Sequence, residues 1–135
     1  MSESLLYLDS SAIVKLILPE PETGALMDLL SDRPERVTSA LARVEVPRAV
    51  RRAGGDASPL RRAEDVLVRL GTIGLDEEVL RAAARFDPGE LRSLDAIHLA
   101  TALSLGEQLG AMVAYDARLA EAARVNGLTV LAPRR

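Results

Sequence analysis

Apolar residues arrive along this chain in two rhythms. Leu5-Leu6-Tyr7-Leu8 is an unbroken apolar run ended by Asp9, too short for a helix and suited to a strand buried on both faces. Ser10 or Ser11 has the chemistry to cap a helix reaching about Leu18, where Pro19 and Pro21 stop it. A helix over 22–30 places Leu26, Leu29 and Leu30 on one side, and Val37-Thr38 reads as a short strand. Ser39 then caps a helix over 40–53, closed by Gly54-Gly55. Ser58-Pro59 pairs a cap with a proline at the first helical position, ahead of Leu60, Ala63, Val66, Leu67 and Leu70 at helical spacing. A strand over 72–75 follows. Asp76 caps a helix whose first turn carries Glu77 and Glu78, which favours the helix dipole. Asp87-Pro88-Gly89 is a turn, and Ser93 caps a helix to about Leu105. Residues 111–115 read as a strand, 116–126 as a helix with Gly127 behind it, and 128–131 as a closing strand.

Strands alternating with helices predict an α/β fold: three layers, α/β/α, around a mostly parallel central sheet. The 135 residues and their 48% apolar content suit one domain, 1–135, with a core that needs no metal or disulfide staple. No internal repeat, low-complexity segment or interdomain linker interrupts the pattern, and 53–58 is a loop within the domain.

Composition narrows the chemistry. Cysteine is absent, which excludes disulfides, cysteine-type zinc sites and thiol catalysis. One histidine, His98, leaves no multi-histidine metal site. Tyr7, Phe86 and Tyr115 are all the aromatics, too few for a base-stacking platform. The net charge of −3 argues against a generally basic nucleic-acid binder. All but one of the 17 cationic residues are Arg, Lys15 being the exception. Several gather between Arg43 and Arg62; a GC-rich genome accounts for the total, and phosphate contact is a second reading of the cluster. The first residues carry no basic signal-like region and no uncharged apolar run approaches membrane-spanning length, so the expected location is cytoplasmic, with no membrane partner.

The acids fall at places of chemical interest. In open parallel sheets, ligands bind beyond the carboxyl ends of the strands. Asp9 ends the first strand and Asp116 the strand over 111–115, so both point to one edge if both strands share a parallel sheet. Asp95 occupies the first turn of a helix that is apolar nearly all round and therefore central. Glu45 sits between Val44 and Val46. Acids held close together among apolar neighbours repel one another and lose solvation, and a hard dication such as Mg²⁺ or Mn²⁺ relieves both. On spacing alone, ordinary helix caps and surface charges among the 20 acids present are the favoured reading of these four.

Four segments carry more information: Tyr7-Leu8-Asp9-Ser10-Ser11-Ala12-Ile13-Val14-Lys15-Leu16, Arg43-Val44-Glu45-Val46, Leu91 to Ala102 through Ser93-Leu94-Asp95-Ala96-Ile97-His98, and Val113-Ala114-Tyr115-Asp116-Ala117-Arg118-Leu119. Together and in this order the chain resembles the PIN domain, most closely the VapC toxins of bacterial toxin–antitoxin pairs, over essentially its whole length. The Asp95 segment is the most specific of the four. The resemblance implies a PIN-like fold and a ribonuclease dependent on Mg²⁺ or Mn²⁺, with Asp9, Glu45, Asp95 and Asp116 as both catalytic and metal-holding residues. It implies RNA hydrolysis by a metal-activated water, leaving 5′-phosphate and 3′-hydroxyl ends. It also implies a small antitoxin partner, a homodimer and a possible larger toxin–antitoxin assembly.

The supporting residues have two readings each. Ser10 orients the first acid or its water, caps a helix, or does both. Arg48 and Arg52 follow Glu45 by three and seven residues, on its face of a regular helix, where they balance the acids or meet the RNA backbone. Pro47 inside that helix costs about 3 kcal/mol and threatens a kink. Arg51, Arg61 and Arg62 read as a solvated surface, Lys15 as a surface residue, and Tyr7 and Tyr115 as core or rim. His98, one turn after Asp95, reads as a hydrogen-bonded structural histidine, with a ligand or general-base role as the alternative. The helices over 22–30 and 58–70 supply apolar residues for a partner groove or simply close the core. A phosphorylated receiver domain shares acids at strand ends, but no acidic pair ends the first strand and Lys15 is far from the last. A non-catalytic PIN-like module acting through protein association is the alternative function, and a DNA or flap nuclease would need helical elements this chain lacks.

Overall fold

In the computed structural model, which describes residues 5–134, the chain runs β1 (Leu5–Leu8), α1 (Ser10–Lys15), α2 (Thr23–Asp32), β2 (Arg36–Ser39), α3 (Ala42–Arg52), α4 (Ala57–Val68), β3 (Gly71–Ile73), α5 (Glu77–Ala84), α6 (Ser93–Leu103), β4 (Leu109–Val113), α7 (Ala117–Val125) and β5 (Val130–Leu131). The strands form one sheet, ordered β3-β2-β1-β4-β5, and each neighbouring pair is parallel. The chain builds outward from β1 to β2 and β3, then returns to the other flank as β4 and β5. The connections leaving β1 and β4 therefore part company, and a crevice opens beyond the carboxyl ends of these two central strands.

The expected three layers follow from the two-residue period of the strands. Leu6 and Leu8 of β1, with Ala111 and Val113 of β4, face Ile13, Leu26 and Val46 from the first three helices. Tyr7 and Met112, one residue out of phase, face Leu99 of α6 and Leu119 of α7. Each fully buried side chain of this size contributes roughly 1.5–3 kcal/mol by leaving water. Helices α1–α4 thus cover one face and α5–α7 the other, with β1 dry on both.

Several helix starts differ from the sequence reading. Neither Ser10 nor Ser11 caps α1; Asp9 does, its carboxylate accepting the Ala12 N–H. Ser39 ends β2 and accepts the Leu41 N–H at 3.0 Å, so α3 begins at Ala42 rather than 40. Asp56, not Ser58, caps α4, and Pro59 falls in its first turn, where a missing N–H is tolerated. Ser93 is the first residue of α6, whose cap position is Arg92 without a side-chain bond. Asp76 caps α5 as expected. The central strand stops at Val113 instead of 115, although Ala114 still donates to the Leu131 carbonyl at 3.2 Å. Helix α3 continues through Pro47 to Arg52. Its exit demands glycine: Gly54 has φ +83°, and a Cβ on Gly55 would lie 2.8 Å from the Val50 carbonyl oxygen.

Candidate functional site

Asp9 stands where β1 turns into α1, at the centre of the sheet's carboxyl edge. Its backbone N–H donates to the Val113 carbonyl at 3.2 Å, which ties it to β4. Oδ1 accepts the Ala12 N–H at 2.9 Å and the Ser11 hydroxyl at 2.8 Å, and the same hydroxyl lies 3.0 Å from Oδ2. Capping explains why the carboxylate points inward, and the cost is severe desolvation, since only 4% of the residue remains exposed. Burial pushes its pKa from 3.8 up to about 6, against the bonds from Ala12 and Ser11 and the pull of His98; Asp95 adds repulsion.

Glu45 comes from the first turn of α3 and is fixed from two directions. The Ser10 hydroxyl donates to Oε1 at 2.5 Å, and His98 Nε2 lies 2.6 Å from the same oxygen. His98 is buried and meets the Tyr7 hydroxyl at 2.6 Å through Nδ1, the two rings edge to face at 5.9 Å. Burial works to raise the Glu45 carboxyl, but the bonds from His98 and Ser10 outweigh it and hold it below the ordinary glutamate value. His98 is thus the hydrogen-bonded histidine expected from sequence. Ser10 serves Glu45 rather than Asp9; the hydroxyl on Asp9 belongs to Ser11, which sequence reasoning treated only as a possible cap.

Asp95 and Asp116 stand nearer the solvent. Asp95 lies in the first turn of α6; burial and the charge of Asp116 push its carboxyl up, His98 and Arg92 pull it down, and Glu45 adds to the rise. Asp116 is exposed and caps α7, accepting the Leu119 N–H at 3.0 Å. Asp9 is raised by Asp95, and Asp95 by both Asp116 and Glu45, so acids from four separate segments share one electrostatic neighbourhood.

Their donors are all hard oxygens, the chemistry of Mg²⁺ or Mn²⁺ rather than of a soft metal. Among the described residues no three His, Cys, Asp or Glu side chains are gathered tightly enough to ligate one ion directly. A small dication that keeps most of its water and takes one or two carboxylates suits this looser set, the remaining acids acting through water.

Beside Glu45 runs a groove of about 410 Å³, lined by Ser10, Ser11, Arg48, Arg52, Val44 and Leu94 among others. Pro47 has not turned Arg48 and Arg52 away from Glu45; both are exposed along the same groove. Arg51, Arg61 and Arg62 are exposed as expected, and Arg62 also donates to the Ile17 carbonyl at 3.0 Å. Lys15 departs from the surface role read for it. It is buried, donates to Glu20 and Glu22 at 2.9 Å each, and lies 4.6 Å from the centre of the Tyr115 ring. The carboxylates five and seven residues later were the available signal.

Comparisons with known proteins agree with this architecture. The PIN domain family profile matches residues 6–125. Ribonuclease VapC46 of Mycobacterium tuberculosis (strain ATCC 25618 / H37Rv) is 49% identical over 128 residues, covering 95% of this chain and 97% of its own. Ribonuclease VapC35 of the same strain is 46% identical over 133 residues, covering 96% and 97%. A solved chain described as a toxin-antitoxin complex from Klebsiella pneumoniae superposes with a TM-score of 0.71, at 18% identity, over 96% of this chain and 98% of that one, a likeness of fold. No helix among the described residues is long and apolar enough to cross a membrane.

Proposed function

The chain belongs to the PIN domain family, and from that premise we propose that it is the toxin of a VapBC-type toxin–antitoxin pair, an endoribonuclease dependent on Mg²⁺ or Mn²⁺. The observation that carries this reading is the shared electrostatic neighbourhood of Asp9, Glu45, Asp95 and Asp116 beyond the carboxyl ends of the central strands. A buried carboxyl raised to about 6 is a group in want of a cation. The naming of its relatives as ribonucleases supports the substrate class.

The four acids are the groups that would hold the ion, directly or through water. When bound, it supplies positive charge against the phosphate and acidifies a water. Ser11 and the Ala12 N–H fix both oxygens of Asp9; Ser10 and His98 fix Glu45. Arg48 and Arg52 have the reach to hold backbone phosphates along the groove, bidentate donors that suit phosphate better than lysine does. Water attacks phosphorus in line, the P–O3′ bond breaks, and the departing 3′ oxygen takes a proton, leaving 5′-phosphate and 3′-hydroxyl ends. No side-chain nucleophile is needed, which suits a chain without cysteine. Acting as one domain in the cytoplasm, the toxin would be silenced by a small antitoxin protein and would work as a homodimer.

Sequencing of new 5′-phosphate ends after expression of the wild type and of Asp9→Asn tests the reading. Cleavage clusters present only with the wild type are expected, and the purified protein should cut RNA but not DNA of the same sequence. Identical end profiles for the two, or equal cutting of DNA, would remove the proposed activity.

A further inference from the structure

Tyr7 and His98 lie behind the acids, in the dry layer between the sheet and α6, and neither faces the groove that lines Glu45. A buried tyrosine–histidine pair is an expensive way to fill a core, since both polar ends must find partners where leucine would need none. What the pair accomplishes is visible at its far end. The two donors that reach Glu45, His98 Nε2 and the Ser10 hydroxyl, both arrive at Oε1. Among the described residues no hydrogen bond falls on Oε2. One oxygen of the carboxylate is anchored and the other is presented.

A carboxylate only accepts hydrogen bonds, so the imidazole can hold Glu45 only with a hydrogen on Nε2. Nδ1 of a neutral ring is then bare and must accept, and the Tyr7 hydroxyl at 2.6 Å is the group placed to donate to it. A ring with its one hydrogen on Nδ1 could still donate to the Tyr7 oxygen, but it would turn a lone pair toward Glu45 and lose that bond. Tyr7 thus engages the ring at Nδ1 while the Nε2–H orients the carboxylate, as partners behind a metal site's ligands commonly do.

We propose that Tyr7 and His98 are positioning residues for the nuclease reaction: the buried Tyr7 hydroxyl holds the His98 ring at Nδ1, and the Nε2–H of His98 anchors Oε1 of Glu45, leaving Oε2 free to serve a divalent ion or its water. The inference rests on the reading of Glu45 as one of the acids that hold the ion. It predicts that the loss on disrupting the pair falls on ion affinity and turnover and not on RNA affinity, because Arg48 and Arg52 are untouched.

The test uses the full chain and four variants. Nitrogen-15 NMR of the metal-free wild type should show a hydrogen on Nε2 of His98, and Tyr7→Phe should shift the Nδ1 resonance. Mn²⁺ titration by calorimetry without RNA should show affinity lowered 10–100-fold in His98→Leu, the range for a lost partner of a metal ligand, and about 3–10-fold in Tyr7→Phe. His98→Gln, which keeps an N–H near Nε2, should recover most of the loss. In each variant kcat should fall while KM for RNA stays within twofold. If His98→Leu does not fold, Tyr7→Phe and His98→Gln decide the matter. A ring with no hydrogen on Nε2 overturns the proposal, as does Mn²⁺ affinity within twofold of wild type in folded Tyr7→Phe and His98→Leu. Equal losses in His98→Leu and His98→Gln overturn it too, since they mark packing and not the hydrogen bond. Should Glu45→Gln bind Mn²⁺ as the wild type does while the wild-type ring carries its hydrogen on Nε2, the assignment of Glu45 has failed and the line of hydrogen bonds has not.

Discussion

Replacing Asp9 with asparagine removes one buried negative charge and almost nothing else. The amide oxygen can still accept from Ala12 and Ser11, and asparagine is as good a helix cap as aspartate. The Asp9 carboxyl rises from 3.8 to about 6 because burial outweighs those bonds. Carrying it ionised in the folded, metal-free protein therefore costs about 3 kcal/mol at neutral pH. The sign follows from a raised folded value. The stabilisation from a protonated Asp9 is fully present below about pH 4 and is lost as pH rises through about 6. The wild type in chelator should weaken over that interval, and Asp9→Asn should lack this part of the decline. At pH 7.5 without metal the variant should melt on the order of 10 °C higher, from the usual size scaling of melting temperatures, and below pH 4 the two should coincide. Adding Mn²⁺ at a hundredfold excess over Kd should stabilise the wild type by about 2.7 kcal/mol, raising its melting temperature, and leave the variant almost unmoved. Thermal melts by circular dichroism across pH 3.5–8, with chelator and with Mn²⁺, make the comparison. A metal-free Asp9→Asn protein no more stable than wild type at pH 7.5 would refute the claim that this carboxylate is held at a cost.

Other perturbations separate the roles of the remaining residues. Asp95→Asn should abolish RNA cleavage, by at least a hundredfold in single-turnover assays, while its circular dichroism spectrum stays that of the wild type. Arg48→Ala and Arg52→Ala should each raise KM for RNA several-fold and reduce the slope of log affinity against log salt by about 0.7, as loss of one phosphate contact to a single strand does; filter binding at several salt concentrations reads this. Lys15→Ala leaves Glu20 and Glu22 without their shared partner and uncovers the Tyr115 ring, so the unfolding free energy should drop by about 1–3 kcal/mol, checked by urea denaturation.

Much of this architecture was legible in the residues because its signals are local. The apolar run Leu5–Leu8 ended by Asp9 marks the central strand and its functional end together, and Asp76 with Glu77 and Glu78 marks a helix start by its own chemistry. Helix caps were less legible where two polar residues compete. Asp9 and Asp56 displace neighbouring serines because a charged carboxylate bonds free N–H groups more strongly than a hydroxyl does. The least legible features join distant segments. Tyr7 and His98 are 91 residues apart, and Ser10 and Glu45 are 35 apart, so only the folded chain reveals that they form one line of hydrogen bonds. Lys15 was misread for a related reason: an amphipathic side chain is ordinarily solvated, and here an ion pair to each of two acids and an aromatic face compensate its burial.

The most direct test of the central claim is the chemistry of the cut ends. A 5′-labelled RNA is incubated with the purified chain in Mg²⁺, in EDTA, and with Asp95→Asn in Mg²⁺, and the termini are identified by mass spectrometry. Hydrolysis by water within the acid site predicts 5′-phosphate and 3′-hydroxyl termini in the first reaction and intact RNA in the other two. Cleavage that persists in EDTA or in the variant, or termini bearing a 2′,3′-cyclic phosphate, would contradict it.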